Sequence, residues 1–391
     1  MQVIRGIYAV CRREVAAIKG DRLYIAIVLI LPIVLITFFV VMFWDGEITK
    51  LPISVVDNDN SAMSRRLISM IDATSGVDIE SVAHSSLEAN DSLLKGEVYG
   101  YIVIPDGFGE SVVGSRSTSV NAYISATNLS AAGILKRDIQ QAAMAFSSGV
   151  TMTRLALMGV EGYKVMAEVM PVNIHLHTVA NPYMNYGYYL APIFMIVGVI
   201  IFTVLSTIYA IGRELRYATA PQWISAAYGS LPVAIVGKLL PTTVAMMVML
   251  QLVMFILFVV MGMECMGSYM VLLLTSLLFI ISYQAVAIAF VAITANLRMA
   301  LSLGGGYSVM AFTFSGITFP IIAMYGVAQL FSKLFPLTYF CQVFINEAML
   351  GIDVRYSLDD IGALLIFMLL VPLVWRRLGR VVHDNRYWGR D

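Results

Sequence analysis

Residues 23–44, LYIAIVLILPIVLITFFVVMFW, contain no charged side chain, and the run exceeds the roughly 20 residues that cross a 30 Å hydrocarbon core. A signal peptide has an apolar stretch of only about 7 to 15 residues followed by a small-x-small site, and none follows Trp44, so the run reads as an uncleaved span. Further apolar runs recur at 188–211, 233–260, 269–293, 300–322 and 360–375. The chain is 59% hydrophobic and 13% charged, whereas soluble chains carry about 25% charged residues. Together these features predict an α-helical polytopic membrane protein with six transmembrane helices.

The 25 Lys and Arg balance the 25 Asp and Glu, so no basic surface for nucleic acid stands out. The positions are far from balanced. One side of the spans collects Arg5, Arg12, Arg13, Lys19, Arg22, Arg213, Arg216, Lys238, Arg298, Arg376, Arg377, Arg380, Arg386 and Arg390 against five acids, a net +9. The other side carries −9. The excess of Lys and Arg marks the cytoplasm, which predicts that both termini lie inside and that residues 45–186 lie outside.

Within 45–186 the pattern alternates. ISVVD (53–57), VDIESV (77–82), VYGYIVI (98–104) and SVNAYIS (119–125) read as strands, and AMSRRLISMID and SSLEANDSLLKG read as helices, the second closed by a glycine cap. A small extracytoplasmic α/β domain inserted between helices 1 and 2 follows, with residues 130–168 returning as a helix. VVDNDNS resembles the start of a calcium loop, but an EF-hand counted from Asp57 would need Gly and Glu where Ala62 and Ile68 stand, so a helix-capping turn is the better reading. His175 and His177 could share a metal, yet no carboxylate or cysteine is close in sequence.

On the cytoplasmic side, residues 1–22 place Ile4, Ile7, Tyr8, Cys11, Val15 and Ile18 at helical spacing with basic residues between them, an amphipathic helix suited to an anionic membrane surface. The loop 212–232 (GRELRYATAPQWISAAYGSLP) has three charges, then Pro221 opening a short helix with Trp223. Charged residues for register and one large aromatic suit docking onto a cytoplasmic partner, while an interfacial Trp anchor is the plainer alternative.

No P-loop occurs, and Gly304–Gly306 lies in an apolar span where close helix packing is its expected role. No G-x-S-x-G or H-E-x-x-H appears, and four histidines leave little room for acid-base catalysis. Lys238, Gln251 and Gln284 are the polar exceptions inside the spans, with Lys238 near the inner interface. Without buried carboxylates for ion coupling, the chain is expected to draw energy from elsewhere and not to be itself catalytic. Cys265 and Cys341 fall on the outer side, where free thiols are expected over a disulfide, and Glu347 reads as a solvated position.

Four segments carry a resemblance to the transmembrane permease of a type-2 ABC exporter, over essentially the whole chain. LPISVVDNDNSAMSRRLI with LEANDSLLKGEVYGYIVIPDGF resembles the extracytoplasmic domain of such permeases. GRELRYATAPQWISAAYGSLPVAIVGKLLP is similar to the coupling-helix segment, although Gly212-Arg213-Glu214 matches its E-R-E only in part and Ala218-Thr219 replaces a Gly-Thr pair. SGITFPI and FPLTYFCQVFINEAMLGID resemble the fifth span and the outer re-entrant segment.

The resemblance implies a first span at 23–44, a five-helix region at 187–378 with coupling loop 212–232 and outer re-entrant segment 323–358, and a cytoplasmic tail at 379–391. It implies that Arg213, Glu214, Arg216 and Trp223 transmit motion from a separate P-loop ATPase, and that Gly237 and Lys238 fix the start of the third span. ATP and Mg would be bound by that partner, with no cofactor in this chain. A second permease subunit, like or unlike this one, would complete the transporter, and a periplasmic adaptor can join it. The setting implied is the bacterial cell (inner) membrane, and the weakly implied cargo is hydrophobic or amphipathic. An envelope scaffold or receptor that uses the outer domain without transport is the alternative.

Overall fold

The computed structural model describes residues 2–44, 46, 48–158, 185–317 and 319–389. They fall into two compact units, Met1–Gly46 with Thr178–Asp391, and Glu47–His177. His175 and His177, and the end of the helix expected over 130–168, lie outside the described residues.

The unit of residues 47–177 is an α/β sandwich. β1 (Leu51–Asp57), β2 (Val77–Val82), β3 (Gly100–Ile104) and β4 (Asn121–Ile124) form one sheet in the order β2-β1-β3-β4. The first three are parallel and β4 is antiparallel to β3. Parallel neighbours need crossover helices. These are α3 (Ala62–Asp72), between β1 and β2, and α4 (Ser86–Lys95), between β2 and β3; α5 (Phe108–Val113) and α6 (Leu129–Leu157) follow. Ile53, Val55, Ile102 and Ile104 point to one face and bury against Leu67, Ile71, Phe108, Leu135 and Phe146 of α3, α5 and α6. Val56 and Tyr101 point to the other and meet Ala89 of α4.

The turn after β1 uses its acids for capping. Asp57 Oδ1 accepts from the Asp59 and Asn60 amides, and its Oδ2 accepts from the Ser64 hydroxyl at 2.7 Å. The Ser61 hydroxyl caps α3 by accepting from the Ser64 amide. Asp59 accepts from the Gly109 amide at 2.9 Å. Its carboxyl is held below the usual range, first by the hydrogen bond with Ser61 and then by the first amides of α5.

In the other unit, α1 (Gln2–Gly20) leads into α2 (Arg22–Met42). Then come α7 (Gly187–Arg216), α8 (Ala220–Ala226), α9 (Leu231–Val260), α10 (Tyr269–Thr294), α11 (Leu297–Phe314), α12 (Gly326–Ser332), α13 (Pro336–Phe344) and α14 (Val354–His383). Among the described residues, α2, α7, α9, α10 and α14 are long and apolar enough to cross a membrane, which makes this a polytopic helical membrane protein. α7 is the most enclosed and α14 the least. Close crossings hold α7 in place: a Cβ on Gly198 would lie 2.4 Å from Leu35 of α2, and one on Gly304 would lie 2.6 Å from Ile208. Of the triplet Gly304–Gly306, only Gly304 makes such a contact.

The run expected to span at 300–322 is not one helix. α11 starts earlier, carries Arg298, and stops at Phe314, where Gly316 takes φ +89°. The chain then makes a 3-10 turn at Ile321–Ala323. The third-span helix starts at Leu231, two residues before the expected run, and Gly237 and Lys238 sit in its second turn. Past α13 the helix widens into a π-turn, Ile345–Leu350. Glu347 lies in it and is 2% exposed, which corrects its reading as a solvated position. Its Oε2 accepts from the Ser268 amide at the head of α10. Cys265 and Cys341 are both free thiols.

Ile102 is 1% exposed at the centre of the sheet. Ile102→Ala should destabilise this unit by about 2–5 kcal/mol, and pulse proteolysis of the full chain should show earlier cleavage within residues 47–177.

Candidate functional site

The site forms where α1 crosses α9. Gly6, Val10 and Glu14 are the buried residues of α1 and recur every four positions, so they share one stripe of the helix. Two glycines bring the backbones together. A Cβ on Gly237 would sit 2.8 Å from Val10 Cβ and 2.9 Å from the Ile7 carbonyl oxygen, and one on Gly6 would sit 2.8 Å from Val233 Cγ1. One residue past Gly237 and one turn past Val10, this crossing sets Lys238 against Glu14.

Lys238 is 1% exposed, with its Nζ 2.5 Å from Glu14 Oε2 and 2.7 Å from Glu214 Oε1. Arg13 closes the other side of Glu214 with two parallel bonds of 2.8 Å. The Thr219 hydroxyl donates to Glu214 Oε2 at 2.6 Å, and the Tyr24 hydroxyl donates to Glu14 Oε1 at 2.6 Å. The Lys238 ammonium also stands 5.1 Å from the Trp223 ring centroid. Two acids and two bases cancel, and all four carboxylate oxygens have donors. Desolvating such ions costs several kcal/mol each, which only short charge-assisted bonds of this kind offset.

A second ion pair lies beside the first. Asp21 caps α2 by accepting from the Leu23 and Tyr24 amides. It also accepts from the Tyr209 hydroxyl at 2.7 Å and lies 3.7 Å from Arg213 Nε. Burial alone would raise the Asp21 carboxyl, but the hydrogen bond from Tyr209, those from the amides and the Arg213 charge outweigh it and hold it below the usual range.

These pairs brace the loop from α7 to α9. Ala218 adopts φ +55°, the left-handed conformation that costs a residue with a side chain about 1–2 kcal/mol. Thr219 then returns to Glu214 through both its amide and its hydroxyl. α8 lies against its own chain: Trp223 is fully buried and its Nε1 donates to the Ala234 carbonyl at 3.0 Å.

Of the residues singled out by sequence, Glu214, Trp223 and Lys238 meet in this cluster, with Gly237 forming the crossing beneath it. Arg213 is half-buried beside Asp21, and Arg216 is exposed with its guanidinium 5.7 Å from the Tyr217 ring. Trp223 therefore fills a cleft of its own chain and not one on a partner, because α8 turns its aromatic face inward. What α8 and its flanks leave exposed is Tyr217, Ala218, Pro221, Gln222, Ser225 and Tyr228. The sequence reading missed Arg13, Glu14, Asp21, Tyr24, Tyr209 and Thr219. One signal was available: Glu14 is the sole acid of α1 and shares a stripe with Gly6 and Val10.

The tail completes the region. The Gly389 amide donates to the Leu215 carbonyl, and Arg377 bonds the Ala292 carbonyl and the Tyr387 hydroxyl.

Residues 22–379 match the family model described as ABC-2 family transporter protein. No curated protein matches the chain.

Lys238→Met would leave the buried Glu14 without a cation, while Glu214 keeps Arg13, and should cost about 3–5 kcal/mol, seen as a lowered thermal unfolding midpoint in detergent. The double variant Glu14→Gln, Lys238→Met should recover part of that loss. Ala218→Gly relieves the left-handed strain and should raise the same midpoint, by about 1 kcal/mol of stability.

Proposed function

The chain belongs to the ABC-2 family transporter proteins, and from that membership we propose that it is the permease subunit of an exporter driven by a separate P-loop ATPase. The observation that carries this reading is the division of labour in the α7–α9 loop. Its inner face is fixed to α1, α7 and α9 by the Lys238 cluster, and its outer face presents Tyr217, Gln222 and Tyr228 to solvent. A partner pushing on that face would move three helices at once. Glu214 and Trp223 then transmit motion from inside the chain, and Arg213 and Arg216 flank the contact.

In this proposal α11, whose 18 residues rise about 27 Å, is the fifth span in chain order and brings the total to six. The arginine-rich ends face the cytoplasm of a bacterial inner membrane, and the α/β unit lies outside. ATP and Mg belong to the partner. A second permease subunit, like or unlike this one, completes the pathway, with room for a periplasmic adaptor. A cavity of about 480 Å³ beside α12 and α13, with apolar walls of Ile317, Pro320 and Ile345 and the amides of Gln329 and Gln342, suits hydrophobic or amphipathic cargo.

Purification from native membranes should bring down an ATPase. Tyr217→Ala with Tyr228→Ala should weaken that association about tenfold or more at unchanged chain abundance. Full retention of transport by this double variant, or transport by the chain with no ATPase bound, would refute the proposal and leave the scaffold reading.

A further inference from the structure

The sheet in the unit of residues 47–177 ends in two edge strands, β2 and β4, because its order is β2-β1-β3-β4. An edge strand presents unpaired backbone donors and acceptors to any other strand, and proteins ordinarily guard such edges with charge or cover. β2 is guarded. Asp78 and Glu80 are exposed along it, and Asp72 Oδ1 accepts from the Ile79 amide at 3.1 Å, so a side chain of α3 already occupies a donor on the outer side. β4 has no such device. Residues 117–127 contain neither a charged side chain nor a proline, and Asn121, Ala122 and Tyr123 are exposed.

The register decides which groups β4 offers. Tyr101 lies opposite Tyr123 and Ile102 opposite Ala122, and the Ser125 amide donates to the Tyr99 carbonyl. Hydrogen-bonded and non-hydrogen-bonded pairs alternate along an antiparallel ladder. Asn121, Tyr123 and Ser125 therefore turn their backbone groups toward β3, while Val120, Ala122 and Ile124 turn theirs outward. No hydrogen bond reaches these outward groups among the described residues. The side chains alternate as well. Ala122 shares the sheet face of Ile102, where Val120 and Ile124 pack at the margin of the core, and Tyr123 stacks on Tyr101 across the other face at 4.7 Å between ring centroids.

Such a strand is complementary to itself. Antiparallel pairing of β4 with a second β4, about a two-fold axis at Ala122, sets Ala122 against its counterpart, Val120 against Ile124 and Asn121 against Tyr123. Outward donors then meet outward acceptors at all three outward positions. Apolar side chains meet on one face, an amide meets a phenol on the other, and no like charges oppose each other. We propose that β4 joins two copies of this chain edge to edge, in one sheet continuous across the pair. The pairing stands on the edge alone; beside the function proposed above, it makes the second permease subunit a like one.

The test is oxidative cross-linking of the full chain in native membranes without ATP. Ala122→Cys puts its two thiols at the axis, where paired Cα atoms lie about 5.5 Å apart, inside the roughly 4.4 to 6.8 Å that a disulfide spans. It should give a linked homodimer well above the baseline set by the native Cys11, Cys265 and Cys341. Thr118→Cys, whose two copies fall about 27 Å apart in this register, should stay at baseline, and so should Val82→Cys on the guarded edge. Adding Val120→Pro to Ala122→Cys deletes an outward donor from each copy and none that β3 uses, and should lower the yield about tenfold. Absence of linkage at Ala122→Cys overturns the proposal, as does equal linkage at Thr118→Cys or Val82→Cys. So does an unchanged yield with Val120→Pro, or linkage to a different protein, which would make the edge a site for a foreign strand. Failure here leaves the permease reading intact with an unlike second subunit, and loss of the ATPase association leaves the cross-link intact.

Discussion

One ammonium group between two carboxylates organises one end of the helical unit. Among the described residues the Lys238 ammonium bonds Glu14 and Glu214, which come from helices that also pack against α9 through apolar side chains. Apolar packing in a membrane specifies register weakly, since lipid tails are as apolar as leucine. A buried ion pair specifies it strongly, because a slip of one turn would strand both charges. The glycines at the α1–α9 crossing act in the same direction, admitting close contact only where Gly6 and Gly237 face a partner.

The consequence for α1 is a division into two sides. Gly6, Val10 and Glu14 bind the protein, while the exposed side carries the apolar Ile4, Tyr8 and Val15 next to Arg5, Arg12 and Lys19. A helix with that cross-section can rest on lipid and on the helical unit at once. The α7–α9 loop and α1 are joined directly at Glu214 and Arg13.

Much of this was legible in the sequence because it rests on composition or on short-range signals. Charge-free length marks spans wherever it occurs, and the strands and helices of the α/β unit were bounded by residues with a local role, such as Ser61 as a cap and Gly96 in a left-handed turn. The break after Phe314 was hidden, because it depends on the conformation of Gly316 inside an unbroken apolar run. Glu14 was hidden for another reason. A single acid in a basic helix looks like a solvated position until its partner, 224 residues away, is known. Trp223 was ambiguous because a short loop helix can turn either face inward, and the Ala234 carbonyl that decides it belongs to the next helix.

That separation in sequence imposes an order on synthesis. Glu14 emerges with the first helix, and the lysine that neutralises it is made only after the whole sheet unit, α7 and the loop have followed. Lys238 engages Glu14 and Glu214 together, so the charges of the cluster balance only when α1, α7 and α9 are all in place.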